Sequence, residues 1–137
     1  MIIAGTISKE GRYWCVTLPA LDGTTQGKTR KEALLMAADY VESLLEPQRR
    51  SKVTARYIGD VIEVECRDDA ALMALVLRRQ RSAHGISLSQ VSKRLGQTSQ
   101  NAYARFENGS CAPTLAKFVQ LMAAVGEPGR FVWRRGA

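Results

Sequence analysis

Gln100, Asn101 and Arg105 stand close together in the stretch T-S-Q-N-A-Y-A-R-F-E-N-G, residues 98–109. Two side-chain amides and a guanidinium are planar groups that present several hydrogen-bonding atoms at fixed spacing, so each can make paired bonds to a flat polar edge. On a helical wheel of about 100° per residue, Gln100, Ala104, Asn108, Asn101 and Arg105 fall within roughly the first 140°. Ala102, Phe106 and Tyr103 fall on the opposite side and are expected to pack. Ser99 suits the N-cap of this helix and Gly109 its stop. A polar outer face is commonly just solvated, so its meaning depends on the elements around it.

Other reactive groups lead nowhere comparable. Cys15, Cys66 and Cys111 are far apart, odd in number and without a C-x-x-C, which argues against a disulfide framework or a zinc site. The single histidine, His84, falls in the last turn of an expected helix, where a cation is favoured by the helix dipole, and reads as surface or cap rather than ligand or base. A metal-dependent nuclease would need carboxylates converging from strands and turns. The segments read as strands before the first helix hold no Asp or Glu, and Asp22 stands alone. The chain is therefore read as not an enzyme, with no cofactor and no metal.

Charge is divided unevenly along the 137 residues. Residues 1–69 hold ten Lys/Arg against eleven Asp/Glu, a net of −1. Residues 70–137 hold ten Lys/Arg against only Glu107 and Glu127, a net of +8. Such asymmetry implies an electrostatic partner for the second half alone, of which nucleic acid is the commonest. With 45% apolar residues the composition is globular, no apolar run approaches a membrane span, and M-I-I-A-G-T-I-S-K-E lacks a signal-peptide layout. The expected address is the cytoplasm, with no membrane partner.

In the first half, residues 2–8 and 13–18 are short β-rich segments around the turn K-E-G-R, with Trp14, Val16 and Leu18 on the core side. A third short strand is expected between Gly23 and Gly27. Thr29-R-K-Glu32 reads as a capping box. Behind it Ala33, Leu34, Ala37, Val41, Leu44 and Leu45 keep helical spacing up to Pro47. Residues 51–58 and 61–65 are further extended segments. The half reads as a small α+β layer, three strands, one helix, then strand, with the helix covering the sheet.

The second half reads as all-α. Asp68 or Asp69 caps a helix through A-A-L-M-A-L-V-L-R-R-Q-R-S-A-H that ends at Gly85. Ser87-L-S-Gln90 is a second capping box, opening L-S-Q-V-S-K-R-L. Gly96 turns the chain into the helix of the opening stretch. A fourth helix begins near Pro113, with Leu115, Phe118, Val119 and Met122 as its expected buried stripe. A short strand, R-F-V-W-R-R, follows, with Phe131 and Trp133 on one face.

Over about residues 70–126, L-S-Q-V-S-K-R-L-G and Y-A-R-F-E-N-G resemble the Cro/repressor-type (XRE) helix-turn-helix family. The resemblance implies that the helix after the turn enters the major groove of double-stranded DNA. Matched position by position, it implies base contacts by Gln100, Asn101, Ala104 and Arg105, and phosphate contacts by Thr98, Ser99 and Asn108. Gln and Asn can pair with adenine N6/N7, Arg with guanine O6/N7, and Ala104 can touch a thymine methyl. Arg81 and Glu107 match an internal ion pair. The chain departs from the family in a turn one residue longer before Glu107, and in Leu88 where a glutamine is frequent.

The first half, through L-P-A-L-D-G-T-T-Q-G-K-T-R-K-E-A-L, resembles the HicB antitoxins of toxin–antitoxin systems, and its succession by a helix-turn-helix matches HicB proteins with such a tail. This implies a degenerate RNase H-like domain at 1–66 that binds and blocks a small RNA-cleaving HicA-type toxin. It further implies a domain at 67–137 that forms a homodimer, or a tetramer, and represses its own operon at an inverted repeat. The resemblance assigns no toxin-contacting residues. The other binding-module reading is a stand-alone transcription regulator whose first half senses a small molecule or a protein.

Overall fold

The computed structural model describes residues 1–126. The expected C-terminal strand, with Phe131 and Trp133, lies outside the described residues. The elements are β1 (Ile2–Glu10), β2 (Tyr13–Leu18), β3 (Gly23–Gly27), α1 (Arg30–Leu44), β4 (Val53–Ile58), β5 (Val61–Cys66), α2 (Asp69–Ala83), α3 (Leu88–Arg94), α4 (Gln100–Glu107) and α5 (Leu115–Val125). Short 3-10 turns span Pro19–Leu21 and Pro47–Arg49. This is the α+β arrangement expected, a sheet unit followed by helices.

The sheet is antiparallel throughout, in the order β3-β2-β1-β5-β4. It closes with two strands after the helix rather than one. Gly59, at φ 65°, turns β4 back into β5, and the hairpin inserts β5 beside β1. Period-2 alternation puts Ile3, Ile7, Val16, Leu18, Ile62 and Val64 under α1, while Ala4, Thr6, Thr17 and Glu65 face outward. β1 runs on to Glu10, so the strands before the helix do carry one carboxylate, at the sheet's end.

α1 lies close to the sheet because it buries mostly small residues, Ala33, Ala37, Ala38 and Val41. A Cβ on Gly27 would collide with the backbone of Glu32 and Ala33, so this strand end has no room for a side chain. The cap at Thr29 differs from the expected box in one bond. Thr29 Oγ1 accepts from the Glu32 amide at 3.0 Å, but Glu32 Oε2 accepts from the Lys28 amide, at 2.7 Å, rather than from that of Thr29. Trp14 is half-buried rather than fully in the core. Its ring and that of Tyr57 flank the Arg30 guanidinium, at 5.6 and 4.6 Å to the centroids.

α2 joins the two halves. Asp68 Oδ1 caps it, accepting from the Ala71 amide at 2.9 Å. Its middle buries Ala71, Leu72, Ala74, Leu75, Val76 and Leu77, residues that point all round the axis. A helix apolar on every side must be surrounded. These side chains merge the sheet core with Val91, Tyr103, Phe118, Leu121 and Val125 of the later helices into one connected cluster, which runs across the expected boundary at 66/67.

Candidate nucleic-acid interface

α3 opens with the capping box the sequence predicts: Ser87 Oγ accepts from the Gln90 amide at 3.1 Å, and Gln90 Oε1 accepts from the Ser87 amide at 2.8 Å. The turn after it places Gly96 at φ 68°. Ser92 is buried at 4% exposure, small enough for α4 to approach, and its hydroxyl donates to the Ser99 carbonyl at 3.4 Å. Ser99 caps α4, its Oγ accepting from the Asn101 amide at 3.3 Å.

α4 is held from inside by a polar triad. Tyr103 is fully buried, and its hydroxyl donates to Glu107 Oε1 at 2.6 Å. Arg81, on α2, donates through Nε to Oε1 at 2.6 Å and through Nη2 to Oε2 at 3.1 Å, and through Nη1 to the Ile86 carbonyl at 2.9 Å. The Arg81–Glu107 pair implied by the resemblance is therefore present and bidentate, the geometry in which a carboxylate is gripped most firmly. Hydrogen bonding to Glu107 raises the Arg81 pKa. Burial, and then the bond to Glu107, push the Tyr103 phenol well above its ordinary range. Tyr103 was legible only as a packing residue. The signal for its second role is the four-residue step to Glu107, which puts both on one helix face.

The exposed face of α4 carries the candidate readers. Gln100, Asn101 and Arg105 are exposed, and Ala104 is half-buried between them. Thr98, Ser99 and Asn108 are exposed at the two ends of the same helix. Asn108 Oδ1 is engaged by the Ser110 amide at 2.9 Å and the Ser110 hydroxyl at 2.5 Å, so the asparagine shapes the loop after α4. Between α3 and α4 lies an open recess of about 430 Å³ lined by Ser89, Ser92, Lys93, Gln97, Thr98 and Gln100, polar throughout and without a carboxylate.

Three expectations are corrected. Ala102 is exposed rather than packed, because α2 and α3 meet α4 on the Tyr103–Glu107 side and Ala102 lies beyond its edge. On α5, Leu115 and Val119 are 51% and 37% exposed, and the buried residues are Phe118, Leu121, Ala124 and Val125. Leu115 and Val119 sit roughly 60 to 100° round the axis from Phe118, at the rim of the stripe.

The third concerns charge. Arg78, Arg79, Arg81 and Arg94 all donate to carbonyls or carboxylates inside the protein. The basic excess of the second half is thus partly structural, and among its described residues Lys93 and Arg105 are the cations at the α3–α4 face. His84 caps α2, its Nδ1 lying 2.8 Å from the Gln80 carbonyl, as a surface or cap reading requires.

No three His, Cys, Asp or Glu among the described residues could together hold a metal ion. No helix among them is long and apolar enough to cross a membrane.

The chain matches no curated protein. Residues 72–130 match the family model of a helix-turn-helix domain, which begins inside α2 and takes in α3, α4 and α5. The helical half is a helix-turn-helix domain, the architecture that presents a helix to DNA.

Proposed function

We propose that the protein is an autorepressing antitoxin. Its helix-turn-helix would bind an inverted repeat upstream of its own gene, and its sheet unit would bind and block a small RNA-cleaving toxin of the HicA type. The observation that carries the DNA reading is α4 itself, gripped internally through Tyr103 and Glu107 while Gln100, Asn101 and Arg105 stand exposed around the small Ala104. Their chemistry suits adenine and guanine edges. Thr98, Ser99 and Asn108 would set register on phosphates, with Lys93 adding charge. The toxin reading rests on the pattern of residues 18–34 and on the layer it builds, one helix over an antiparallel sheet. No catalytic role is assigned, and the protein would act as a dimer in the cytoplasm, since paired recognition helices meet half-sites one helical turn apart.

The experiment is a footprint on DNA upstream of the gene, wild type against Gln100→Ala/Asn101→Ala, with and without the product of the neighbouring reading frame. A symmetric protected site that the variant loses is expected. Protection unchanged in the variant would remove α4 from base reading. A neighbouring product that neither cleaves RNA nor binds this protein would end the antitoxin reading and leave a stand-alone regulator.

A further inference from the structure

The run Arg78-Arg79-Gln80-Arg81 looks in the sequence like the basic surface of a nucleic-acid-binding helix, yet each side chain is spent inside the protein. Arg78 donates through Nη2 to the Leu44 carbonyl at 2.7 Å and pairs with the Glu46 carboxylate through Nη1. Arg79 donates through Nε to the Leu21 carbonyl at 2.8 Å and through Nη2 to the Asp22 carbonyl at 3.1 Å. Gln80 Nε2 lies 3.0 Å from both the Pro19 and the Ala20 carbonyls. The next residue, Arg81, grips Glu107 of α4. One turn of helix therefore holds the sheet unit with three consecutive side chains and the candidate reading helix with the fourth.

The carbonyls involved lie in the turn at residues 19–22 and at the C-terminal end of α1, where a helix end runs short of backbone donors; the Pro19 carbonyl also accepts from the Asp22 amide at 3.1 Å. Their donors come from the last two turns of α2, the stretch that leads into its C-terminal end. The sheet unit reaches α4 by a second route as well. Arg49, in the turn after α1, stands 3.6 Å from Asp68, and its Cδ and Nε would meet a Cβ placed on Gly109, just beyond the end of α4.

We infer that Arg78, Arg79 and Gln80 are positioning residues for α4: by seating the C-terminal part of α2 on the sheet unit they hold Arg81, and through it the reading helix, in place. The first half is then part of the frame of the DNA-binding site and not merely its neighbour. This rests on α4 being the reading helix, as proposed above. It also gives a route by which a partner bound at the 19–22 turn or the end of α1 would be felt at the DNA.

The test is hydrogen exchange on the full chain, wild type against Arg79→Ala/Gln80→Ala, together with affinity for the protected site. Loss of a charged donor and an amide should speed exchange of the Tyr103–Asn108 amides by about tenfold or more, while β1, β2 and β5 keep their protection. DNA affinity should fall severalfold with base preference unchanged, because no α4 side chain is altered. Unchanged α4 protection in a variant whose C-terminal part of α2 has loosened would overturn the inference. If the variant does not fold, Arg79→Lys, which keeps the charge and one donor, should show an intermediate effect. Wild-type exchange behaviour at α4 in that variant, with that part of α2 loosened, would overturn it equally. Should the wild type bind no DNA, the function proposed above fails, and the exchange result still decides whether the sheet unit positions α4.

Discussion

The Tyr103 hydroxyl and the Arg81 guanidinium converge on the same oxygen of Glu107, each at 2.6 Å. Glu107 is 7% exposed, so a carboxylate that would be costly to bury has been given donors from its own helix and from α2. The arrangement ties α4 to the centre of the fold through Tyr103 and Glu107, while Gln100, Asn101 and Arg105 stay exposed. Removing Arg81 leaves that carboxylate buried without its counter-charge, and Arg81→Ala is expected to lower stability by roughly 3 kcal/mol. Urea unfolding at neutral pH checks this, and a loss near zero would show that the pair contributes no net stability.

The pH dependence at the alkaline end follows from the same triad. Tyr103 titrates far above its usual range in the folded protein and near pH 10 in the unfolded chain. The neutral phenol is the form the fold favours, so its contribution is complete below about pH 10 and is lost as pH rises beyond it, where only the unfolded chain gives up the proton. In an absorbance titration one of the four tyrosines should ionise only as the protein unfolds. Tyr103→Phe should abolish that late step.

The Arg105 side chain makes no hydrogen bond or ion pair among the described residues, and its replacement should leave the fold intact. Arg105→Ala is expected to cost roughly 1–3 kcal/mol at the preferred site and to relax preference at one base position. Arg105→Lys keeps the charge but not the fork, and should restore less than half of that loss. Selection from a randomised DNA pool, run at fixed salt, reads both outcomes. An unchanged base preference in Arg105→Ala would take Arg105 off the list of readers.

Trp14 shares Arg30 with Tyr57 at the end of the sheet. Because the indole is half-buried, Trp14→Ala should destabilise by about 2–3 kcal/mol, below the range for a fully buried ring and including the lost cation–π contact. Thermal unfolding that matches wild type would mean that the ring does no packing.

Gly27 offers a sharper case. Its α-carbon faces the backbone of Glu32 and Ala33, which cannot swing aside as a side chain can. Gly27→Ala should therefore cost about 1–3 kcal/mol through displacement of α1 from β3. Denaturant midpoints of Gly27→Ala and wild type check this, and an unchanged midpoint would show that the start of α1 yields to a methyl group without cost.

Much of this protein is local and was legible in its sequence. Ser87 and Gln90, Asp68, Ser99 and Thr29 announce helix starts because a side-chain oxygen within the first turn is all a free amide needs. Alternation in 13–18 and the 3.6-residue spacing of α1 report which side meets a core. The polar face of α4 is likewise a property of one short helix, and Gln100, Asn101 and Arg105 stand exposed as the wheel places them.

What required the tertiary structure is everything that depends on a second element. The insertion of β5 between β1 and β4 follows from how a hairpin docks on the sheet edge, not from either strand's pattern. Leu115, Val119 and Ala102 are apolar in sequence but exposed, since the rim of a stripe is defined by the neighbour it packs against. Glu32 reached past Thr29 to the Lys28 amide because the chain enters α1 from a strand end pressed on the helix. The R-R-Q-R run shows the difference most plainly: composition reports four long polar side chains, and only the placement of carbonyls at 19–22 and 44 decides that they bind the protein itself rather than a partner. Local hydrogen bonds and periodicity are written in neighbouring residues, whereas the choice of partner across long separations is made by packing, after the elements exist.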